Sequence, residues 1–327
     1  MGLLERLSGN RLARRAADAV FGYYAGRRVA RLDRCTASRS QEQTLLHLVR
    51  KAADTRFGRD HGFATIRTVT DYQRRVPLRD YEAFWDQCWR PAFPHLTNST
   101  WPGQVPYLAL SSGTTTGSTK YIPVSAEMLA SNRRAALTSL AWFRAAYPDA
   151  SLFTGRMLFL GGSTDLTTPD PAFSKTLAGD LSGIAAREVP SILRPFTYPP
   201  LDLALITDWQ EKLHRLAAQS ACLPVTLVSG VPSWLLVLFE RLRRLTGREH
   251  IAEVWPTLRV VVHGGTRFDP YRGLFRRLVG DGVHFLETYP ASEGFIAAED
   301  PRHGLLRLIP DHGVFFEFVP VGELGQG

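Results

Sequence analysis

The sequence predicts an α/β fold: a mostly parallel sheet flanked by helices, preceded by a helical leader. Three observations predict it. Short apolar runs recur at Val105–Leu110, Met157–Leu160, Val225–Val228, Leu258–Val262 and Val283–Leu286. Several end in glycine, as at Gly161-Gly162, Gly230 and Gly264-Gly265. Helix-like segments follow most of them. Strand, glycine loop and helix in repetition put a binding site at the strands' C-terminal ends.

The elements run as follows. Residues 3–34 are helix-like, with arginines among Leu, Ala, Val and Tyr. Ser40 is an expected N-cap with Gln43 at the capping-box position. Leu45, Leu46, Leu48, Val49, Ala52 and Ala53 then keep helical spacing. Asp80 to Trp89 is expected to be another amphipathic helix, and residues 90–106 read as a proline-rich loop. Ser125 can cap a long helix to about Ala146. Residues 163–203, rich in Pro, Gly, Ser and Thr, read as an irregular excursion. Thr207 is the expected cap of a helix to about Ala221. Helices are also expected over Trp234–Leu245 and Pro270–Val279.

Composition limits the function. Of 327 residues, 44% are hydrophobic and 21% charged, ordinary for a globular protein. The formal charge is +8, and 35 of the 39 cationic residues are arginine. Residues 1–60 carry a net +7 and the remainder only +1. That suits a nearly neutral body, 105–320, with a basic leader, 1–60. Cys35, Cys88 and Cys222 are scattered and odd in number, against a disulfide framework or zinc ribbon. No signal peptide or membrane-length apolar run is visible, so the expected location is the cytoplasm. His250 and Glu253 lack a third ligand, and no zinc site is read there.

The most informative stretch is Ser111-Ser112-Gly113-Thr114-Thr115-Thr116-Gly117-Ser118-Thr119-Lys120. Glycines let backbone N–H groups converge, hydroxyls add donors, and one lysine adds charge. That chemistry suits a polyphosphate. Lys120 lies three residues past Gly117, so the Walker A spacing fails. No G-x-S-x-G or G-x-G-x-x-G string occurs.

The loop does resemble the Ser/Thr-Ser-Gly-Thr-Thr-Gly-x-x-Lys signature of the adenylate-forming superfamily, with one extra threonine. With Tyr121-Ile-Pro-Val-Ser125 behind it, it is most similar to the auxin-responsive acyl-acid amido synthetase family, which has plant and bacterial members. Four further segments resemble that family: Gly230-Val231-Pro232-Ser233-Trp234, Trp255-Pro256 through His263-Gly264-Gly265, Tyr289-Pro290-Ala291-Ser292-Glu293-Gly294, and Phe315-Phe316-Glu317-Phe318-Val319-Pro320. The last is expected to be a strand. The resemblance covers roughly residues 70–320 and implies the large N-terminal domain of such an enzyme.

The resemblance implies ATP and Mg2+ as cofactors, with a small carboxylic acid and an amino acid as substrates. The acid would be activated as an acyl-adenylate and then transferred to the amine. Ser111, Ser112, Gly113, Thr114, Thr115 and Gly117 would hold phosphates. Lys120 would contact pyrophosphate or anchor the loop. Glu293 would be the magnesium ligand and Ser292 would bond the α-phosphate. Tyr289 would stack on adenine, lined on its other side by Gly264, Gly265 and Thr266. Val231 and Trp234 would line the acyl pocket. Plainer readings are a helix-start position for Glu293, a core position for Tyr289, and simple packing for Val231 and Trp234. His263 is given no catalytic role.

Two departures stand out. Pro290 replaces the usual Asn, Gly or Ala. The family's Arg-x-Gly-Asp-type ribose motif and its C-terminal lid are not found before Gly327. The alternatives are therefore an inactive or partner-dependent half, with a separate chain supplying the lid, or a nucleic-acid or membrane-surface binder acting through the basic leader. No nucleic-acid partner is the preferred expectation, because arginine on a solvated helix face explains the leader's charge.

Overall fold

The computed structural model describes residues 10–112, 119–162, 166–169, 175–320 and 322. The chain divides into two compact units. The first comprises residues 1–33, 135–166 and 179–309; the second comprises residues 34–134, 167–178 and 310–327.

The first unit is built on a seven-stranded sheet in the order β10-β9-β8-β7-β6-β3-β5. Its strands are β3 (Arg156–Phe159), β5 (Thr197–Tyr198), β6 (Val225–Ser229), β7 (Val260–Gly264), β8 (His284–Ala291), β9 (Gly294–Asp300) and β10 (Leu305–Leu308). From β5 to β8 every pairing is parallel, and β8-β9 and β9-β10 are antiparallel. The expected fold class is therefore present.

Alternation explains why the strands are apolar on both faces. Leu158, Val228 and Val261 enter one core, with Leu213 and Leu216 of one helix and Leu235, Leu238 and Phe239 of another. Their neighbours Met157, Leu227, Val260 and Val262 enter the opposite core, with Phe21, Val29, Trp142 and Phe143. Successive side chains point to opposite faces, so a strand covered by helices on both sides must be apolar throughout. The long helices involved are α1 (Arg11–Asp33), α3 (Ala126–Ala146), α4 (Trp209–Ser220), α5 (Pro232–Thr246) and α6 (Asp269–Val279). α2 (Ala37–Lys51) lies in the second unit.

The helix starts follow their caps. Ser125 Oγ accepts from Met128 N–H at 3.1 Å, as expected, and α3 reaches Ala146. For α4 the cap is Asp208 rather than Thr207; its Oδ1 accepts from Glu211 N–H at 2.6 Å. A carboxylate accepts more strongly than a hydroxyl and also complements the helix dipole. Ser40 is not an N-cap. Thr36 occupies that position, and Ser40 lies inside α2, where its hydroxyl donates to the Pro310 carbonyl at 3.2 Å.

Three further expectations change. The leader is not a separate element: Phe21, Ala25, Val29 and Leu32 of α1 are core residues of the first unit, while residues 34–60 belong to the second. Residues 163–203 contain regular structure, with β4 (Leu177–Gly179), a helix over Leu181–Arg187 and β5. Residues 315–319 form no strand. Side chains of the second unit tie this segment down. Phe315 packs edge-on to Tyr72, Phe316 N–H donates to Gln41 Oε1 at 2.8 Å, and Glu317 accepts from Gln73 at 2.9 Å.

In the second unit β1 (Tyr107–Ser112) and β2 (Thr119–Val124) form an antiparallel pair, and β1 also neighbours β4. The expected helix at residues 80–89 begins at Tyr81, capped by Asp80, and widens to a π-helical turn over Trp85–Trp89. No helix among the described residues is long and apolar enough to cross a membrane.

Candidate functional site

Strands β6, β7 and β8 are parallel neighbours, so their C-terminal ends share one edge of the sheet. Most of the residues singled out in the first unit lie along it.

At the end of β6, Gly230 and Val231 lead into α5, which has Pro232 at its first turn. Proline is tolerated there because its missing N–H would have no helical partner anyway. Val231 and Trp234 are half-buried. The Trp234 ring lies 5.2 Å from that of Trp209, and it also lies against Gly162 at the end of β3.

At the end of β7 the backbone is laid bare. Gly264 pairs with Thr288 of β8, and a Cβ at Gly264 would fall 2.2 Å from the Thr288 carbonyl oxygen. Gly265 holds φ +80°, a conformation that disfavours any side chain. Gly265 and Thr266 are exposed. Gly264→Ala should therefore cost at least about 1–3 kcal/mol, as overpacking against rigid backbone does, read as a lower denaturant midpoint with unchanged slope.

β8 runs past its parallel partner to Ala291, longer than the expected Val283–Leu286. Tyr289 is 54% exposed, which removes its core reading. A register shift falls between Tyr289 and Pro290. That irregularity accommodates a proline, which has no N–H to give to a ladder. Ala291 pairs with Gly294, so Ser292 and Glu293 are the two turn residues of a tight hairpin. Glu293 is exposed at its apex and does not start a helix.

His263 is 2% exposed, with its ring stacked 3.7 Å from Phe268. Burial, with Arg272 nearby, pushes its pKa down to about 4. The ring is neutral at physiological pH and serves packing. Its carbonyl accepts from Thr288 Oγ1 at 3.1 Å, which locks the two strand ends together.

Lys212 was not anticipated. It is 2% exposed, and its ammonium donates to the Gly162 carbonyl at 2.7 Å. Burial lowers its pKa, while Asp180 acts in the opposite direction. Asp180 accepts from Ser182 N–H, and Ser182 Oγ accepts from Gly162 N–H. The turn after β3 is thus clamped through both its N–H and its C=O. The signal was present in the sequence: Trp209, Lys212, Leu213, Leu216 and Ala217 form the apolar stripe of α4, and a lysine on such a stripe must find a buried acceptor.

The hydroxyl-rich loop lies in the second unit. Ser111 pairs with Lys120 and Ser112 with Thr119 in the antiparallel ladder of β1 and β2. Gly113, Thr114, Thr115 and Gly117 lie outside the described residues. The Lys120 ammonium sits 3.1 Å from Glu82 and 4.6 Å above the Tyr81 ring. Tyr81 in turn accepts from Tyr121 N–H at 2.8 Å. These contacts tie the start of β2 to the helix that begins at Tyr81.

The comparison of the sequence with family models agrees with the resemblance drawn from the motifs. The model of the GH3 family N-terminal domain matches residues 30–172 and 162–284. The chain belongs to the GH3 family. A search of curated proteins finds no match. Among solved structures, this GH3 chain is similar to the AtGH3.15 acyl acid amido synthetase in complex with 2,4-DB, with TM-score 0.68, 14% identity, and coverage of 93% of this chain and 60% of that one. A second GH3.15 acyl acid amido synthetase structure gives TM-score 0.63 and 16% identity, over 84% of this chain and 57% of that one. At these identities the likeness is one of fold. The GH3 chain spans about 60% of the length of the first of these relatives.

Proposed function

We propose that this GH3 chain is the ATP-binding body of a ligase that activates a small carboxylic acid as its acyl-adenylate and passes the acyl group to the amine of an amino acid. The observation that carries the reading is the edge formed by Gly264, Gly265 and Thr266 beside the exposed Tyr289. There, bare backbone adjoins one exposed aromatic ring, which suits a planar base.

A carboxylate is a poor acyl donor, because oxide is a poor leaving group. Its attack on the α-phosphate of ATP expels pyrophosphate and leaves the acyl group on AMP. The amine nitrogen then attacks the acyl carbon and AMP departs with the bonding pair. Two anions meet in the first step, so the protein's work is alignment and charge stabilisation. On this reading Ser292 donates its hydroxyl to an α-phosphate oxygen. Residues of the 111–120 stretch supply hydroxyl and backbone donors to the outer phosphates, with Lys120 as an anchor. Val231 and Trp234 hold the acyl chain, and the Lys212 clamp on Gly162 keeps the wall behind Trp234 in place. His263, buried and neutral, supplies neither charge nor base.

Among the described residues, no three His, Cys, Asp or Glu side chains converge as a metal cage. The donor set is Glu293 alone, which fits magnesium, an ion that keeps most of its waters and takes phosphate oxygens. Glu293 would hold the ion, and the ion would neutralise phosphate charge.

The test is calorimetric binding of Mg·ATP together with carboxylate-dependent pyrophosphate exchange over a broad panel of acids. Tyr289→Ala should weaken ATP binding by about 1–3 kcal/mol, the usual worth of base stacking, without loss of stability. Absence of both ATP binding and exchange in the unaltered chain would sink the reading.

A further inference from the structure

Helix α1 has two apolar faces. One is the core face already described. The other points to solvent and carries Leu12, Ala16, Ala19, Val20, Tyr23 and Ala30, all exposed. The three large residues on it are 71%, 69% and 68% exposed. Their spacing of eight and three residues places them within about 60–80° of one another around the helix. They form one stripe, not scattered singletons.

The unpaired exposed charges that α1 places beside this stripe are arginines. Arg11 and Arg15 flank it on one side, and Arg27 lies on the stripe itself one turn beyond Tyr23, all exposed. The acids of the helix are already engaged. Asp18 is buried, accepting from Leu152 and Phe153 N–H and lying 3.6 Å from Arg144. Asp33 is paired with Arg302 and Arg307. Arg27 donates to the Tyr23 hydroxyl at 3.0 Å and lies 5.8 Å from its ring, an amphipathic pair with an apolar body and a polar tip.

We infer that this outer face of α1 docks on an anionic lipid surface. Leu12, Val20 and Tyr23 enter the boundary between headgroups and acyl chains, and the flanking arginines reach lipid phosphates. Charge selects this occupant. A second copy of α1 would bring arginine rows against each other. A nucleic acid would use the arginines but leave the apolar stripe in water. The inference does not depend on the proposed ligase activity.

The test is sedimentation of the full chain with vesicles of phosphatidylcholine alone or mixed equally with phosphatidylglycerol. Binding is expected only to the mixed vesicles and should weaken with salt. Leu12→Ser, Val20→Ser and Tyr23→Ser combined should abolish it, with circular dichroism unchanged because these side chains are exposed. Arg15→Gln and Arg27→Gln should each weaken it about fivefold. No binding to the mixed vesicles overturns the inference. So does binding that the triple serine variant leaves intact, as does a preference for duplex DNA over vesicles. Concentration-dependent dimerisation lost in the triple variant, without vesicle binding, overturns it in favour of a second copy.

Discussion

Replacing Asp300 with alanine is expected to lower the stability of the first unit by about 3 kcal/mol, the scale for leaving a buried charge without its partner. Asp300 is completely buried at the end of β9. It accepts from Arg302 Nε at 2.9 Å and from a second Arg302 nitrogen at 2.8 Å, and from Arg307 at 3.0 Å. The same arginines bind Asp33 at the end of α1. The network therefore staples the helix to the β9-β10 hairpin. Asp33 would keep both arginines partly neutralised in the variant, which places the cost at the low end of the range. Chemical denaturation at neutral pH measures it, and a change under about 0.5 kcal/mol would contradict it.

The same network sets an acid limb. Burial alone would raise the Asp300 pKa, but hydrogen bonds from Arg302 and Arg307 outweigh it and hold the carboxyl below its ordinary range. Asp33 is drawn to about 2, chiefly by its hydrogen bond from Arg302. Unfolded aspartates titrate near 3.9. Both groups thus bind protons more weakly when folded. Their stabilisation is fully present above about pH 5 and is lost as pH falls towards about 2. Asp33 is 41% exposed, so solvent screening keeps its share under about 1 kcal/mol. Asp300→Ala should flatten this limb as well as lower the plateau.

Glu293→Gln is expected to reduce carboxylate-dependent pyrophosphate exchange by about 10²–10³-fold, the scale for losing one charge-stabilising group. Stability should stay within about 0.5 kcal/mol, because Glu293 is exposed at a hairpin apex and holds up no core. The split between lost exchange and retained stability is the discriminating result. Glutamine keeps the shape and removes the charge, so wild-type exchange in this variant, with the magnesium dependence unmoved, would remove Glu293 from its proposed role. Saturating magnesium should restore part of the activity if the carboxylate acts by holding the ion.

The core was legible in the sequence because alternation is a local property. The runs at 225–228 and 258–262 are apolar except at Thr226 and Arg259, and consecutive apolar residues such as Leu227-Val228 and Val260-Val261-Val262 suit a strand covered on both faces. Most helix ends were legible for the same reason: Ser125 and Asp80 sit where a cap must sit. Misjudged elements were those where two local signals competed or where partners lay far along the chain. Asp208 outbid Thr207 within one residue. Ser40 had a cap's sequence but is a helical residue bonded to Pro310, 270 positions away. The 315–319 segment has a strand's composition, yet it forms no strand, and Tyr72, Gln41 and Gln73 hold it.

The site divides along the same line. Motif order marked Gly264, Gly265, Tyr289, Ser292 and Glu293, because close backbone approach and turn formation leave residue-level traces. Their role as exposed edge or turn residues, rather than core or helix start, came from β8 running beyond β7 and turning back as β9. Lys212 shows the converse: only its partner, the Gly162 carbonyl 50 residues earlier, gives it meaning. By itself the sequence determined the family, through the order of its motifs, and the parallel sheet and the positions where glycine must stand, which follow from periodicity and short-range sterics. The tertiary structure alone decided that the charged leader helix is half core, that its other apolar face is open, and that buried Asp300 and Lys212 are satisfied. Burial and long-range pairing are properties of the folded chain and not of any segment.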